Sequence, residues 1–390
     1  MDIRITPGKL SGPVTPPISK SMAHRMVLAQ ALSPQPGKIA NLTPSQDIEA
    51  TEGCIRALAA PRAAGELPRL DCGESGSTLR FLIPIALAVA GGGVFTGRGR
   101  LMQRPQQPYF DIFAQKGIAY SRMENLLAVR GTLTPGDYAL PGNVSSQFVT
   151  GLLFALPLLR GDSEIRLTSP LESKGYVDMT LTVLERFGVT VENDHYETFH
   201  IPGNQTYRGQ DVEIEADWSQ AGFWYAANFL DNPVEVQGLD PYSTQGDMIV
   251  AKHYWLLARP GEQEIDISNC PDLLPPLAVM AAVRNEDTRF TNAARLRIKE
   301  SDRIATTAAM LGALGVRAEE GSDFLTVRGG CPLTGGTVDG ANDHRIVMAA
   351  AIAATACASP VTITGAEAVR KSYPTFWDEY KRLGGVFHVL

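Results

Sequence analysis

At 390 residues the chain exceeds one ordinary hydrophobic core, so two domains are expected. Hydrophobic residues at 44% and charged residues at 20% exclude a disordered or fibrous chain. A net charge of −7 speaks against a nucleic-acid binder but leaves room for a local basic pocket.

The chain opens on a strand-like Met1-Asp2-Ile3-Arg4-Ile5, without the apolar run of a signal peptide or an Arg/Ser-rich transit segment. Lys20-Ser21 then opens the first apolar helical stretch, with Arg25 one turn on and facing roughly the same way. The next such start, Ser75-Gly76-Ser77, follows Asp71-Cys72-Gly73-Glu74. A Gly/Ser loop running into a helix cradles an oxyanion well, because backbone N–H groups approach closely. It lacks the Gly-Lys-Ser/Thr of a Walker loop and the GxGxxG of a dinucleotide site. Arg80 is embedded among Leu79, Phe81 and Leu82 and needs a partner, for which an anionic substrate is one candidate.

Arg104-Pro105 follows a Gly-rich turn and by itself reads as a surface arginine. Ser145-Ser146-Gln147 brings two hydroxyls and an amide to a helix start, and Ser173-Lys174-Gly175-Tyr176 adds a hydroxyl and a phenol. Asp217-Trp218-Ser219 opens another helix, at a domain crossing, and receives no ligand role. Asp272 follows Pro271 at a further helix start; a carboxylate among cations there suits a general base. In Arg295–Arg303, Arg297, Glu300 and Asp302 cannot share one helix face, so a loop entering a helix is expected. Lys299 beside Glu300 sets a cation and an acid ready for proton transfer. Asp343-His344-Arg345 and Lys371-Ser372 complete the set, with His344 read as structural.

Six helix starts therefore carry polar tags, each followed by a short β-branched strand, at a period of roughly 55 to 75 residues. Any one of them is equally an ordinary cap; their recurrence favours anion binding, because helix N-termini present unpaired N–H groups. A second repeat interleaves: a Gly-capped helix and then a hairpin, at Gly117–Gly131, Gly188–Gly203 and Gly315–Gly329, with a truncated copy at Gly385–Val389. Val177, Leu181 and Leu184 before Phe187 mark the helical seam of the second copy. The class is α/β, with three repeats in each of two domains: residues 19–215, and residues 1–18 plus 216–390. A two-stranded hinge joins them, and a cleft between such domains is the default ligand site. The apolar runs at Phe81–Ala90 and Phe148–Leu159 are too short to span a bilayer. Six histidines without HxxxH or HExxH spacing point to no metal, and five cysteines without CxxC spacing read as free thiols of a reducing cytosol.

Taken together, Lys20-Ser21-x-x-x-Arg25, Gly73–Arg80, Arg104-Pro105, Ser145–Phe148 and Arg297–Arg303 resemble the 5-enolpyruvylshikimate-3-phosphate synthases of the enolpyruvyl transferase family. Asp343-His344-Arg345 and Lys371 extend the match, which runs in order along essentially the whole chain. The resemblance implies two domains of three βαβαββ units each, with the active site in the cleft between them. It implies transfer of the enolpyruvyl group of phosphoenolpyruvate to the 5-hydroxyl of shikimate-3-phosphate, without cofactor or metal, in a cytoplasmic monomer of aromatic amino acid biosynthesis. Shikimate-3-phosphate contacts would fall to Lys20, Ser21, Arg25, Ser145, Ser146, Gln147, Ser173, Asp272 and Lys299. Phosphoenolpyruvate contacts would fall to Lys20, Gly76, Arg104, Gln147, Arg303, Arg345 and Lys371. Lys20, Asp272 and Glu300 would be catalytic: Asp272 taking the hydroxyl proton, and Glu300 with Lys20 protonating the methylene carbon, either of the two delivering that proton.

Some positions depart from the commonest pattern of the family. Glu74 stands where Asn is frequent, Ser77 where Thr is frequent, Gly175 where Pro often precedes the tyrosine, and Arg295 where some members carry a substrate-contacting Asn. Ser21 after Lys20, and the lack of a cysteine in the loop before Arg104, separate the chain from the UDP-N-acetylglucosamine enolpyruvyl transferases.

Overall fold

Short β-branched segments alternate with apolar helices along the whole chain, and in the computed structural model, which describes Met1 to Leu390, they build four small sheets of one design. The residues divide into two units, Lys20–Ile214 and a discontinuous one of Met1–Ser19 with Glu215–Leu390.

In the continuous unit, strands Arg69–Asp71 and Gly92–Thr96 run parallel. Leu126–Arg130 then pairs antiparallel with the second strand, and Ala119–Met123 closes the edge. The second sheet repeats this order with Gly136–Leu140, Ser163–Leu167, Thr198–Ile201 and Glu192–Asp194. A parallel pair needs a crossover, and in each sheet an apolar helix supplies it: Gly76–Ala90 in the first, Ser146–Ala155 in the second. The third repeat is reduced to helices Lys20–Leu32 and Gln46–Ala59 and a parallel bridge between Ile39 and Val212.

The discontinuous unit has Gln263–Asp266, Thr288–Thr291, Leu325–Val327 and Ala318–Glu320 in the same order. Its second sheet is Gly336–Asp339, Val361–Thr364, Ile3–Thr6 and Val386–Val389, so the first strand of the chain fills the third position. Gly12–Val14 and Val234–Val236 form its reduced repeat.

The crossover helices are largely apolar and mostly buried. All of His344–Ala354 is inaccessible, as is Leu274–Ala282. In the continuous unit, Gly76–Ala90 packs closely on Ser146–Ala155; a side chain at Gly151 would strike the Tyr109 hydroxyl and the Arg80 carbonyl. One detail departs from the sequence pattern. In helix Lys174–Arg186 the buried stripe is Val177, Thr180, Val183 and Leu184, and Leu181 is only half-buried. Thr180 is drawn inside because its hydroxyl accepts from Arg25 Nε at 2.9 Å and meets Thr150 Oγ1 at 2.9 Å.

Candidate active site

In the continuous unit the tags stand where the helices begin. Lys20 opens helix Lys20–Leu32, and its ammonium donates to Asp47 Oδ2 at 2.8 Å, both side chains mostly buried. Asp47 sits in the first turn of helix Gln46–Ala59, where Ser45 caps by accepting from the Ile48 amide. Beneath Lys20, Thr51 joins His24 Nδ1 at 2.8 Å and Thr78 Oγ1 at 2.6 Å, and Thr78 donates to Ser75 Oγ at 2.7 Å. Burial, with Lys20 and Arg25 nearby, holds His24 well below its ordinary pKa, so it is a neutral packing group.

Ser75 caps helix Gly76–Ala90 by accepting from the Thr78 amide, and the guanidinium of Arg104 lies directly over Gly76. A Cβ at Gly76 would stand 2.7 Å from Arg104 Nη1, so a side chain there would push the guanidinium aside. Arg104 is 6% exposed, which corrects its reading as a surface arginine: the turn at Leu101–Gln103 folds it inward.

Arg80 finds protein partners. It donates to Gln147 Oε1 at 2.8 Å, to Pro105 O at 2.9 Å and to Ser145 Oγ at 3.4 Å, and lies over the Phe148 ring. Gln147 Nε2 donates onward to Ser77 Oγ at 3.0 Å. Arg80 thus ties the Gly76 and Ser146 helix starts together. Ser145 is the cap of the latter, accepting from Gln147 N. Arg25 donates to Thr180 Oγ1, to Ser21 O at 2.7 Å and to Tyr176 O at 2.8 Å, and burial lowers it to about 10. Ser173 precedes helix Lys174–Arg186 with a left-handed backbone, φ +58°. The structure therefore brings Lys20, Ser21 and Arg25 into one helix start, and Gly76, Arg104, Ser145 and Gln147 into one linked network.

In the discontinuous unit the charges converge on Asp272, in the turn Pro271–Leu273 ahead of helix Leu274–Ala282. Its carboxylate accepts from Arg303 Nη1 at 2.6 Å and Arg345 Nη2 at 2.9 Å, with Lys299 Nζ at 3.5 Å. Arg303, 1% exposed, also pairs with Glu300 at 2.6 Å and with Asp343 at 2.8 Å. One guanidinium thus holds three carboxylates. Although burial works against its charge, Asp343, Glu300 and Asp272 push Arg303 well above its ordinary value. Asp343, fully buried, caps helix His344–Ala354 through the Arg345 amide and also accepts from Ser301 at 2.9 Å. Burial opposes its charge too, and Arg303 overcomes that, lowering its pKa.

As the spacing of Arg297, Glu300 and Asp302 requires, residues 299–302 are a loop between the turn Ala294–Ile298 and helix Arg303–Ala313. Arg297 braces that loop against Asp302 and Glu320. Burial lowers Lys299 to about 8 although Asp272 favours its charge. Lys371 ends the turn Ala366–Lys371 and donates to Asn342 O at 2.6 Å, beside the Asp343 cap.

Two carboxylates escaped the sequence reading. Asp47 lies in a helix start carrying no basic or hydroxyl tag of its own beyond the Ser45 cap; Ser45 was the available signal. Asp247, in the turn Gly246–Ile249, has no motif around it. Burial first, and then the neighbouring Asp272 charge, raise it to about 7, with Arg345 working against the shift.

The site chemistry is that of anions and proton transfer: cations, hydroxyls and amides at helix starts, with carboxylates held on guanidinium groups. No group of His, Cys, Asp and Glu has the arrangement of a metal site. The EPSP synthase (3-phosphoshikimate 1-carboxyvinyltransferase) family profile matches residues 5–380. A 3-phosphoshikimate 1-carboxyvinyltransferase of Clostridium acetobutylicum is 42% identical, the alignment covering 99% of this chain and 98% of the relative. That of Clostridium kluyveri is also 42% identical, covering 98% and 97%. The EPSP synthase structure from Acinetobacter baumannii has a TM-score of 0.78 at 23% identity over 99% of each chain. The enolpyruvyl transferase NikO from Streptomyces tendae has 0.78 at 19% identity, over 99% and 98%. At such identities these two structures speak to the fold alone.

Proposed function

The chain belongs to the EPSP synthase (3-phosphoshikimate 1-carboxyvinyltransferase) family, and we propose that it transfers the enolpyruvyl group of phosphoenolpyruvate to the 5-hydroxyl of shikimate-3-phosphate, releasing phosphate. The reaction belongs to the shikimate pathway of aromatic biosynthesis. The observation that carries the assignment of roles is Asp272, whose carboxylate is held by Arg303, Arg345 and Lys299, with Glu300 on the same Arg303.

In this reading shikimate-3-phosphate is bound by Lys20, Ser21, Arg25, Ser145, Ser146, Gln147, Ser173, Asp272 and Lys299. Phosphoenolpyruvate is bound by Lys20, Gly76, Arg104, Gln147, Arg303, Arg345 and Lys371. Each substrate brings one phosphate and one carboxylate, so cations and helix starts are the appropriate partners. Arriving anions draw Lys299 and Arg345 away from Asp272, leaving its carboxylate available for the 5-hydroxyl proton. The oxygen then adds to the enol carbon while Glu300 and Lys20 supply a proton to the methylene carbon. Phosphate then leaves from the resulting tetrahedral intermediate as Glu300 takes a proton back from the new methyl group, which restores the carbon–carbon double bond, and the charge of the departing phosphate is met by the same guanidinium groups. Asp47 aims the Lys20 ammonium.

Residues 19–215 and residues 1–18 with 216–390 act in this reading as two domains, each supplying part of the binding set. In this reading the protein works as a monomer in the cytoplasm, where phosphorylated metabolites are found. A phosphate-release assay tests the function: release should require both shikimate-3-phosphate and phosphoenolpyruvate. Release with UDP-N-acetylglucosamine in place of shikimate-3-phosphate would overturn it. Lys20→Met should abolish turnover.

A further inference from the structure

We propose that Glu74 is a positioning residue for the phosphoenolpyruvate site, setting through Gly99 the placement of the loop that carries Arg104. The inference rests on the donor-binding role of Arg104 proposed above.

The segment Gly97–Arg104 meets the turn Gly73–Gly76 at two places. At the near one, the Arg98 amide donates to Gly73 O at 2.7 Å, and the Glu74 carboxylate lies against Gly99. A Cβ at Gly99 would stand 2.6 Å from Glu74 Oε2 and 2.8 Å from Cδ, and Gly99 itself has φ +58°. Backbone and carboxylate are therefore in direct contact with no side chain between them. At the far place, the Arg104 guanidinium covers Gly76, at the very start of the helix.

Between the two contacts the chain has little freedom. It turns through Leu101–Gln103, and the Arg104 amide donates back to Leu101 O and Arg100 O, each at 3.2 Å. Leu101 and Met102 are 2% and 5% exposed, and a Cβ at Gly97 would stand 2.7 Å from Leu101 Cδ2. A loop pinned by buried side chains transmits a displacement instead of absorbing it. Moving Gly99 therefore moves Arg104 across Gly76, where the phosphoenolpyruvate anion is to be held. A carboxylate beside an anion cradle repels the ligand if it reaches it. Here its Oε2 faces Gly99 on the loop.

The test uses the full chain with Glu74→Asp, Glu74→Gln, Gly99→Ala and the double variant Glu74→Asp/Gly99→Ala, read by steady-state phosphate release and by calorimetric titration of shikimate-3-phosphate. Glu74→Asp and Gly99→Ala should each raise KM for phosphoenolpyruvate roughly tenfold, with kcat and the shikimate-3-phosphate Kd within about twofold of wild type. Glu74→Gln, equal in size, should stay within about threefold. The shorter acid makes room for the added methyl, so the double variant should be less impaired than the product of the two singles. Singles that multiply without coupling, or shikimate-3-phosphate affinity lost in step with KM, would overturn the proposal; the Glu74 variants keep the glycine backbone and test it even where Gly99→Ala fails to fold. A wild-type chain inactive with both substrates would instead overturn the underlying function, a distinct result.

Discussion

Lys299 and Asp47 show how single side chains set the chemistry. Partial burial brings the Lys299 ammonium down to about 8, so it begins to lose its charge not far above neutrality. A phosphate ligand favours the cation, so shikimate-3-phosphate affinity should fall as pH rises past about 8, and binding there should take up protons. Titration at about pH 7 and about pH 9, in buffers of different ionisation enthalpy, measures both, and an affinity flat across this window would refute the role. For folding the sign is opposite: the unfolded lysine holds its proton to higher pH, so this group's contribution to stability grows from about 8 upward, toward the ordinary 10.5. Asp47 holds the Lys20 ammonium at 2.8 Å. Asp47→Asn keeps the shape and removes the charge, and should lower kcat roughly a hundredfold with little change in melting temperature. Wild-type turnover would show that Lys20 needs no such partner.

At the scale of the element, the helix start is the unit of design. Ser75, Ser145, Asp217 and Asp343 each accept from a backbone amide one turn in, and the last also anchors Arg303. Asp343→Ala removes the cap and leaves a buried guanidinium short of one carboxylate. It should cost about 3 to 5 kcal/mol of unfolding free energy, measured by urea titration, whereas Asp217→Ala should cost only about 1 kcal/mol. These starts were legible in the sequence because the tags are short polar residues ahead of apolar runs, and both period and residue type announce them. The inward turn of Arg104 was not legible, since the turn at Leu101–Gln103 and the open face of Gly76 are facts of tertiary approach. Thr180 likewise reads as a polar position until Arg25, 155 residues away in sequence, is seen to claim it. Asp247 is the extreme case: a carboxylate whose surroundings are assembled from Ser219, Asp272 and Arg345, none of them near it in the chain.

Across the whole molecule, four sheets of one strand order and two reduced repeats account for the α/β class, which the hairpin and helix periodicities had indicated. The strand Ile3–Thr6 is the exception that periodicity alone does not explain, because its repeat is split between the two ends of the described chain. Ile3 and Ile5 are both fully buried, in the middle of their sheet. Ile5→Ala should cost about 3 kcal/mol, lowering the melting temperature by several degrees, where the same change at exposed Val389 should be nearly silent. Equal effects would mean that this strand is not a central one.

That split has a consequence for how the polypeptide comes to be ordered in time. Residues 20–214 contain all the strands of their own sheets, so this unit has every partner it needs once that stretch has left the ribosome. The segment Ile3–Thr6, made before that unit, has no sheet neighbours until residues 361–364 and 386–389 exist. It must remain unpaired until well after residue 214 has been made, and closing so long a loop is slow. In refolding followed by pulsed hydrogen exchange, amides of Leu126–Arg130 should gain protection before those of Ile3–Thr6. A strand made before the continuous unit is thus locked into place after it.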